Sequence, residues 1–557
     1  MSKSNTIKVI IIGLFLIMVA SQSQSKFLLD EIDFPAVAKA TSESGRPVYY
    51  RGEDNKQHIG IYHPTLYINS LAVYIKIWGY SENNIRAFGA ICTLISALLI
   101  VLISRQIILD KKILEFTENI FLFVFLIHPY TIANTTLPDI DTTVLPITML
   151  CFIYFLLRSF KNNKYTLENP KTLVILGLLF ALNLWAKITT PLILIPFLAV
   201  FLKINHNSIL KSVLLSLKVF LIGLVIFLTT YLIYCKVIDL PFAYTFEFLY
   251  ASFFKGTSGN IGLISKILEN ISYGRTLLNW ILPEFIFIFM VSVIGLFRTK
   301  STETSKTMTL FALISIIVTL FYVALIAPFG GFFKYPFPVF SFICLIISFF
   351  VANNIKSNIS KKVILVFLIV LGISVLLNKS RGLFGNSGSF NMGILNYIYF
   401  FLVAGSIFFY IIKKFLVSKT LFLVFFTFIL GALLSMSYDQ AKSQFSTKYL
   451  FGQTGINESV EYLKANTDDN EVIWSMKDIG YYVNNRYIEN YGFLYDPKGE
   501  YNLKELLSTN KLKYYIMTTG IGEDKAEIYT NLSDLLNKEA ILVKRFGNYL
   551  IYKDKDL

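Results

Sequence analysis

Two adjacent carboxylates follow the first apolar segment of the chain after about ten residues. Asp30 and Glu31 lie in the stretch LLDEIDFPAVAKATSESGRPVYYR, residues 28–51. A carboxylate beside hydrocarbon is costly unless it is paired or wetted. Paired carboxylates in such a place are candidates for proton transfer or cation binding. The alternative is that Asp30 only caps or solvates the start of a helix.

Further charged residues stand at the ends of later apolar runs. Asp139 and Asp141 belong to an LPDID turn, and Lys187 lies between two apolar runs in LWAKITTP. Lys334 and Tyr335 begin another apolar run. An idle lysine between apolar runs would be costly, so such a lysine either binds an anion or snorkels to the membrane interface. The aspartates either act on a ligand or cap the helix that follows them.

The composition assigns the chain to the membrane proteins. Of its 557 residues, 55% are hydrophobic and only 16% are charged, whereas soluble domains carry about 25% charged residues. The net charge of +15 comes from short lysine clusters between apolar runs and not from a basic face. That pattern is typical of cytoplasmic loops, and it argues against nucleic-acid binding.

About thirteen transmembrane helices are predicted from apolar runs of sufficient length. The first covers residues 7–20. The alternative is that these residues form a cleaved secretory signal. The others are predicted near 85–104, 118–134, 142–159, 171–186, 189–203, 211–235, 279–297, 307–327, 335–352, 361–377, 393–412 and 418–436. Residues 63–78 are aromatic and amphipathic, which favours a helix lying in the membrane interface.

The charges of the loops indicate how these helices are oriented in the membrane. With the N-terminus inside, each cytoplasmic loop carries at least two Lys or Arg; these loops are 105–117, 158–170, 203–211, 298–306, 353–362 and 413–417. The positive-inside rule then places the loops 22–84 and 236–278 and the tail after residue 436 outside. The Asp139 turn, Lys187 and Lys334 fall on the same outer side.

The tail, residues 437–557, changes to a polar composition and predicts a small soluble α/β domain. Helical patterns at 455–466, 502–509 and 532–538 alternate with extended patterns at 471–475 and 513–518. Two strands close the chain around Gly547-Asn548. Such alternation indicates an α/β fold. Residues 1–436 would form the transmembrane catalytic domain.

The order of these motifs resembles the GT-C superfamily of polyprenyl-phosphate-dependent glycosyltransferases. The likeness is greatest to protein O-mannosyltransferases and lipid A aminoarabinose transferases. The motifs are Asp30-Glu31, Gly45-Arg46-Pro47, Tyr62-His63-Pro64-Thr65-Leu66-Tyr67, Arg86, Asp139-Ile140-Asp141, Lys187 and Lys334-Tyr335. The chain departs from the family in having Thr65 where a second proline is frequent, and Lys334 where an arginine is common.

The resemblance implies a GT-C-like fold and transfer of a sugar from a polyprenyl-phosphate donor to an acceptor hydroxyl. Such a transfer needs a base near the acceptor oxygen and cations near the departing phosphate. It implies Asp30 as the base, with Glu31 and Asp141 as further catalytic residues. Asp139 and Tyr62 would orient the acceptor.

The resemblance also implies a set of donor-phosphate contacts, which are Arg86, Lys187, Lys334, Tyr335 and His63. Other roles remain open at this point. Arg86 can pair with a nearby carboxylate, Tyr335 can anchor the chain in the aromatic belt, and a lone histidine is more often structural. The spacing predicts no oxygen cage for a cation, so a divalent metal on Asp30 and Asp141 is left open.

A secondary transporter or lipid flippase of the cell-envelope polysaccharide pathway is the alternative function. Transporters usually show internal symmetry and ionisable groups near the membrane midplane, whereas the charged residues here gather at outer helix ends. The expected partners are the lipid-linked sugar, membrane lipid, and a lipid, glycan or protein acceptor. The expected location is the cytoplasmic membrane, with the active site facing outside or the periplasm. The sequence leaves the sugar and the acceptor open.

Overall fold

The computed structural model divides the chain into two compact units. The first contains Met1–Ser23, Ile61–Ser70 and Asn83–Lys442, and the second contains Gln24–Gly60, Leu71–Glu82 and Ser443–Leu557. The described residues are 3–23, 26–27, 30–50, 57–59, 63–161, 169–206, 208–254, 283–298, 302–325, 334–355, 427, 430–431, 455–468, 470–483, 486–490, 499–509, 512–519 and 526–555. The predicted domain border at residue 437 stays a prediction.

Helices dominate the chain up to residue 355. In order they are α1 (Lys3–Ala20), α2 (Asp30–Ser44), α3 (Leu66–Trp78), α4 (Glu82–Ile107), α5 (Lys111–Ile127), α6 (Pro129–Thr136), α7 (Val144–Lys161), α8 (Pro170–Ala186), α9 (Leu194–His206), α10 (Ile209–Val237), α11 (Tyr244–Phe254), α12 (Pro283–Arg298), α13 (Glu303–Leu325) and α14 (Phe337–Ile355). A 3-10 turn at Thr190–Ile193 precedes α9, and the short strands β1 (Val48–Tyr50) and β2 (Gln57–Ile59) pair antiparallel.

In its described residues, each span predicted between residues 7 and 352 overlaps a helix or a bent pair of helices. Within the described residues, three helices are long and apolar enough to cross a membrane: α4, α10 and residues 303–320 of α13. Helices α5 and α6 form a further candidate, bent by 59°. The predicted spans 361–377 and 393–412, and all but three residues of 418–436, lie outside the described part. The total of about thirteen therefore stays a prediction.

The bend between α5 and α6 follows from the local sequence. Pro129 is the first residue of α6 and restricts His128 before it to an extended conformation, φ −64° and ψ 131°. The His128 side chain then caps α6, because Nδ1 accepts the Tyr130 N–H at 3.0 Å. Every residue of α6 is buried. The bend thus directs the chain into the LPDID turn inside the first unit.

Helix α14 packs against this bend through aromatic side chains. The Phe340 ring lies 4.9 Å from His128 and 4.7 Å from Tyr130, centroid to centroid, and Phe337 lies 5.8 Å from Tyr130. Both phenylalanines are at most 2% exposed. Aromatic pairs of this kind add about 0.5–1.5 kcal/mol each beyond their buried area. They hold the start of α14, and therefore Lys334, close to α6.

Close helix approaches complete the frame of the first unit. At Gly89 of α4 a Cβ atom would lie 2.1 Å from the Thr135 carbonyl oxygen of α6, and at Gly223 of α10 one would lie 2.8 Å from the Gly177 oxygen of α8. Only glycine permits backbones to approach so closely. The amide of Asn183 joins α8 to α7 by donating to the Thr148 carbonyl oxygen at 3.0 Å.

The second unit is built around a mixed five-stranded sheet of order β4-β3-β5-β7-β6. Its elements are α15 (Ile456–Asn466), β3 (Ile473–Ser475), α16 (Lys477–Val483), β4 (Tyr487–Glu489), α17 (Gly499–Thr509), β5 (Tyr514–Thr518), α18 (Ala526–Glu539), β6 (Ala540–Phe546) and β7 (Tyr549–Asp554). Strands β4, β3 and β5 run parallel, and β7 pairs antiparallel with both β5 and β6. Each helix and strand predicted after residue 455 coincides with one of these elements.

Hydrophobic residues cover both sides of this sheet. Val460, Ile516 and Ile551 belong to one buried cluster, and Leu506, Tyr515 and Leu536 to another. Alternate residues of a strand point to opposite faces, so neighbouring residues of β5 join different clusters. This pattern requires a helical layer on each face of the sheet, consistent with the α/β prediction for this part of the chain.

Candidate functional site

The LPDID turn is fixed by hydrogen bonds within itself. Oδ1 of Asp139 accepts the Asp141 N–H at 2.9 Å. The hydroxyl of Thr143 donates to the Asp139 carbonyl oxygen at 2.6 Å, and that of Thr142 donates to the Leu137 carbonyl oxygen at 2.9 Å. Side-chain bonds of this type are typical of Asp and Thr in turns. Both carboxylates are thereby held in place between α6 and α7.

Each aspartate of the turn binds one lysine. The Lys187 ammonium donates to Oδ1 and Oδ2 of Asp141 at 2.8 and 2.7 Å, and Lys334 donates to Oδ2 of Asp139 at 2.7 Å. The four side chains are between 3% and 10% exposed. We call these residues the lysine–aspartate quartet. Buried charges must be paired, and this quartet satisfies that condition with no net charge.

Tyr335 links the two ion pairs. The Lys187 ammonium lies 4.6 Å from the centroid of its ring, and the Lys334 ammonium lies 5.7 Å from it. Cations within about 6 Å of a ring are attracted to its face. The two ammonium groups therefore share one aromatic surface, although they are far apart in sequence.

Helix ends position both lysines. Lys187 follows the last residue of α8 with extended backbone angles, φ −159° and ψ 139°, and its N–H still bonds to the Asn183 carbonyl oxygen at 2.9 Å. Lys334 begins the turn before α14, where its carbonyl oxygen accepts the Phe337 N–H at 3.0 Å. At a helix end, the long lysine side chain can bend back and reach the aspartates of the quartet.

Burial and the two lysines set the protonation of the neighbouring groups. Burial opposes ionisation of Asp139, but Lys334 holds the pKa of this carboxyl below its usual value. Burial raises the pKa of Asp141 to about 6, against the opposing charge of Lys187. Burial, followed by the charge of Lys187, lowers the pKa of His63 to about 3. His63 is therefore a neutral imidazole near the quartet at physiological pH.

Arg86 was predicted to bind phosphate or to pair with a carboxylate. Its guanidinium is 1% exposed, and it donates to the Thr136 carbonyl oxygen through Nε and to the Ser23 carbonyl oxygen through a terminal nitrogen, both at 3.2 Å. These contacts connect α4 to the end of α6 and to the chain after α1. Its predicted role toward phosphate stays a prediction.

The predicted acidic pair lies in the second unit. Asp30 is the first residue of α2, and its side chain lies outside the described part of the structure. Glu31 is 1% exposed. Tyr62 lies outside the described residues. The catalytic roles of Asp30 and Glu31 and the acceptor role of Tyr62 stay predictions.

The sequence left open whether a divalent cation binds to Asp30 and Asp141. Among the described residues, no three His, Cys, Asp or Glu side chains lie close enough together to hold a metal ion. Both oxygens of Asp141 accept hydrogen bonds from Lys187. A cation at this aspartate would have to compete with that ammonium group.

The sequence motifs suggested no separate role for two further residues around the quartet. Tyr67, on the first turn of α3, is 1% exposed, and its phenol lies within electrostatic range of Asp139. Thr143 bonds to the backbone of Asp139. Tyr67 stands in the motif that begins at Tyr62, which is the one signal that pointed to it. A threonine beside an aspartate carries no comparable signal.

Comparison with known sequences identifies one matching family. The profile of the family described as dolichyl-phosphate-mannose-protein mannosyltransferase matches residues 62–233. This segment contains three members of the quartet and Arg86. Lys334 follows it, and the Asp30-Glu31 pair precedes it. No curated protein sequence matches the chain.

Solved structures match the fold over nearly the whole chain. ArnT from Cupriavidus metallidurans bound to undecaprenyl phosphate matches with a TM-score of 0.58 and 12% identity over 98% of this chain and 97% of that one. The Archaeoglobus fulgidus oligosaccharyltransferase tethered to an acceptor peptide matches with a TM-score of 0.52 and 13% identity, covering 99% of this chain and 74% of that one. AglB from the same organism, in complex with an inhibitory peptide and a dolichol-phosphate, matches with a TM-score of 0.50 and 12% identity. The match covers 100% of this chain and 74% of that one.

At these identities the structures establish the fold, and the profile supplies independent evidence from the sequence. The resemblance that the motifs indicated is thereby confirmed, and the chain is similar in sequence and in fold to the GT-C superfamily of membrane glycosyltransferases.

Proposed function

We propose that this protein transfers a sugar from a polyprenyl-phosphate donor to an acceptor hydroxyl on the outer face of the cytoplasmic membrane. The observation that carries the proposal is the lysine–aspartate quartet, in which two buried ammonium groups flank one tyrosine ring. A buried ionisable residue in a membrane helix is by default a candidate functional residue. Matching structures hold undecaprenyl phosphate or dolichol-phosphate, which favours a lipid phosphate as the anion.

The proposed chemistry is a single displacement at the anomeric carbon. The acceptor oxygen forms a bond to this carbon while the bond from the carbon to the donor phosphate oxygen breaks. The carboxylate of Asp30 takes the acceptor proton as general base, and the polyprenyl phosphate leaves with the electron pair of the broken bond. Lys187 and Lys334 stabilise the negative charge that develops on the phosphate.

The quartet suits an anion-exchange role. In the structure the aspartates neutralise the lysines, so a phosphate that enters the site competes with Asp139 and Asp141 for the same ammonium groups. In the structure both ammonium groups lie near the Tyr335 ring, and in the proposed exchange this ring would keep them close together. Because a phosphate group accepts hydrogen bonds from several donors, it can bind both lysines where each carboxylate binds one.

The experiment compares wild type with Asp30→Asn in membrane vesicles, using a panel of polyprenyl-phosphate sugars as donors. Asparagine preserves the size of the side chain and removes the base. The proposal expects wild type to consume one donor and Asp30→Asn to bind that donor without turnover. Full activity of Asp30→Asn would refute the role of Asp30 and direct the test to Glu31 and Asp141.

The same vesicles separate the enzyme from a transporter or flippase. A transporter would move a lipid-linked sugar across the bilayer while leaving its glycosidic bond intact. Wild type that translocates a donor but releases no polyprenyl phosphate would contradict the proposed function.

A further inference from the structure

We propose that the five-stranded sheet unit positions the catalytic helix α2 through α16, with Lys477 and Asp33 as positioning residues. The inference rests on the proposed function because it takes Asp30, the first residue of α2, as the base. It assigns a role to residues 455–554, for which neither the sequence motifs nor the comparisons provide one. All of the contacts that support it lie within the second unit.

Three contacts join the start of α2 to α16. Asp33 forms an ion pair with Lys477, and the two side chains are 19% and 7% exposed. The Phe27 N–H, just before α2, donates to the Tyr482 hydroxyl. The Lys26 ammonium lies 4.4 Å from the centroid of the Tyr482 ring. Asp33 stands three residues after Asp30, so these contacts flank the proposed base on both sides within about one helical turn.

The start of α2 depends on such contacts because of its own sequence. Pro35 lies inside the helix, and it has no N–H to donate to the carbonyl oxygen of Glu31. The first N–H groups of a helix also have no partner within the helix. The turn that carries Asp30 is therefore weakly held by α2 itself, and the Asp33–Lys477 pair supplies a tie from outside.

The second half of α2 is linked to the same helix through Tyr80. The Lys39 ammonium lies 5.2 Å from the centroid of the Tyr80 ring, and the hydroxyls of Tyr80 and Tyr481 are hydrogen-bonded. Tyr481 and Tyr482 are neighbours in α16, so one short helix contacts residues near both ends of the predicted outer loop 22–84. Such two-point contact restricts tilting of α2 as well as sliding.

The sheet in turn holds α16 rigidly. The buried carboxyl of Asp478 accepts a hydrogen bond from the Tyr549 hydroxyl of β7 at 2.8 Å. A Cβ atom on Gly480 would lie 2.2 Å from the Tyr487 ring of β4, so the helix touches this strand directly. A firmly seated α16 can transmit its position to α2, which a flexible loop cannot do.

The test replaces Lys477 with methionine and Asp33 with asparagine, and includes the charge-swapped double variant Asp33→Lys/Lys477→Asp. Misplacement of a catalytic group by about 1 Å costs on the order of 10²-fold in rate. We therefore expect each single variant to lower kcat by about tenfold to 100-fold, with KM for the donor unchanged, and the swapped pair to regain most of the loss. Lys504→Met is the matched control, because it removes the exposed Lys504–Glu500 pair of the same unit and should retain wild-type kcat.

Amide hydrogen exchange provides a readout that is independent of catalysis. Exchange of residues 30–44 should be faster in Lys477→Met than in wild type or Lys504→Met. Wild-type kcat in well-folded Lys477→Met would overturn the proposal, as would a loss explained entirely by less folded protein with kcat per folded molecule unchanged. A wild-type protein that transfers no sugar would instead refute the proposed function, while the exchange measurement would still test whether α16 holds α2.

Discussion

Two charge clusters in the first unit are built on buried carboxylates but differ in where they lie along the chain. The residues of the lysine–aspartate quartet lie outside the helices. Both aspartates are in the turn between α6 and α7, Lys187 follows the end of α8, and Lys334 precedes the start of α14. The second cluster, which we call the Glu118 triad, joins Glu118 inside α5 to Lys8 inside α1 and Arg105 near the end of α4. Nε of Arg105 donates to Oε1 of Glu118 at 2.7 Å.

The clusters also differ in the exposed fraction of their basic side chains. The lysines of the quartet are 4% and 10% exposed, whereas Lys8 and Arg105 of the triad are 19% and 49% exposed. A fully buried ion pair gains little net stability because both charges lose their water. A cluster whose cations stay partly wetted avoids much of this cost. The quartet is thus poorly explained as a device for stability, and the triad is well explained as one.

The spacing along α4 relates the two clusters to a membrane. Arg86, which binds the end of α6, and Arg105 of the triad are separated by 19 positions of one continuous helix, 105 minus 86. At 1.5 Å per residue this is about 28 Å, close to the roughly 30 Å of a bilayer core. The charged residues of α4, which are Glu82, Arg86 and Arg105, therefore lie towards the two ends of its apolar stretch. The Glu118 triad joins α1, α4 and α5 at one end of this span. At the other end Arg86 contacts the end of α6, which the quartet turn follows, and we propose chemistry for the quartet alone.

Removing Lys187 should produce the largest effect. Lys187→Met deletes a proposed phosphate contact, and deletion of one such charge-stabilising donor costs about 10²–10³ in kcat. It also leaves Asp141 buried beside an apolar side chain, which destabilises by on the order of 3–5 kcal/mol. Donor turnover and thermal unfolding in detergent measure the two effects.

The double variant Lys187→Met/Asp141→Leu separates stability from function. Removal of both charges should restore the unfolding temperature without restoring transfer. Recovery of activity in this double variant would show that the lysine serves only to neutralise the aspartate.

Lys334→Met should lower kcat less, by about tenfold to 100-fold. Lys334 is more exposed than Lys187 and lies farther from the Tyr335 ring, and Asp139 keeps its bond from the Asp141 N–H. Lys334→Arg, which retains a cation, should preserve more of the activity than Lys334→Met. Equal losses in the two variants would argue against a charge-based role.

Disrupting the triad should affect stability alone. Glu118→Gln keeps the shape of the side chain but loses the charge that two cations share, so we expect a loss of about 1–3 kcal/mol in unfolding free energy. The kcat of the folded protein should stay within about twofold of wild type. A fall in kcat as large as that of Lys187→Met would abolish the distinction between the clusters.

We expect the smallest effect from His63, whose titration should make the free energy of unfolding depend on pH. Its pKa is lowered from 6.5 to about 3 in the fold, so the unfolded chain binds more protons between these values and stability falls as the pH drops below about 6.5. From pH 6.5 to pH 5 this amounts to at most about 2 kcal/mol. His63→Gln should lose less stability than wild type over that interval. An equal loss in both proteins would contradict burial of a neutral imidazole.

The sequence predicted helices better than it predicted partners. Apolar length alone predicted helices at α4, α10 and α13, which are long and apolar enough to cross a membrane. Pro129 explains the bend between α5 and α6, which the predicted span 118–134 did not reveal. Which lysine meets which aspartate was beyond reach, because Lys187 and Asp141 are 46 positions apart and Lys334 and Asp139 are 195 apart. Such pairings depend on how helices pack, and no local pattern encodes that packing.

Arg86 illustrates the same limit. Its type predicted a phosphate or carboxylate partner, which stays a prediction, and nothing in its type pointed to the Thr136 and Ser23 carbonyl oxygens that it binds. Backbone carbonyls at a helix end need donors, and every chain contains them, so sequence analysis cannot identify the particular carbonyl that a given arginine will bind.

The decisive measurement of the proposed sugar transfer is the release of polyprenyl phosphate from a lipid-linked sugar by purified protein in vesicles. The donor panel is supplied to wild type, Lys187→Met and Glu118→Gln at equal amounts of folded protein. We expect wild type and Glu118→Gln to release polyprenyl phosphate at similar rates and Lys187→Met to be slower by at least about 10²-fold. Equal release by all three proteins, or release by none of them, would contradict this expectation.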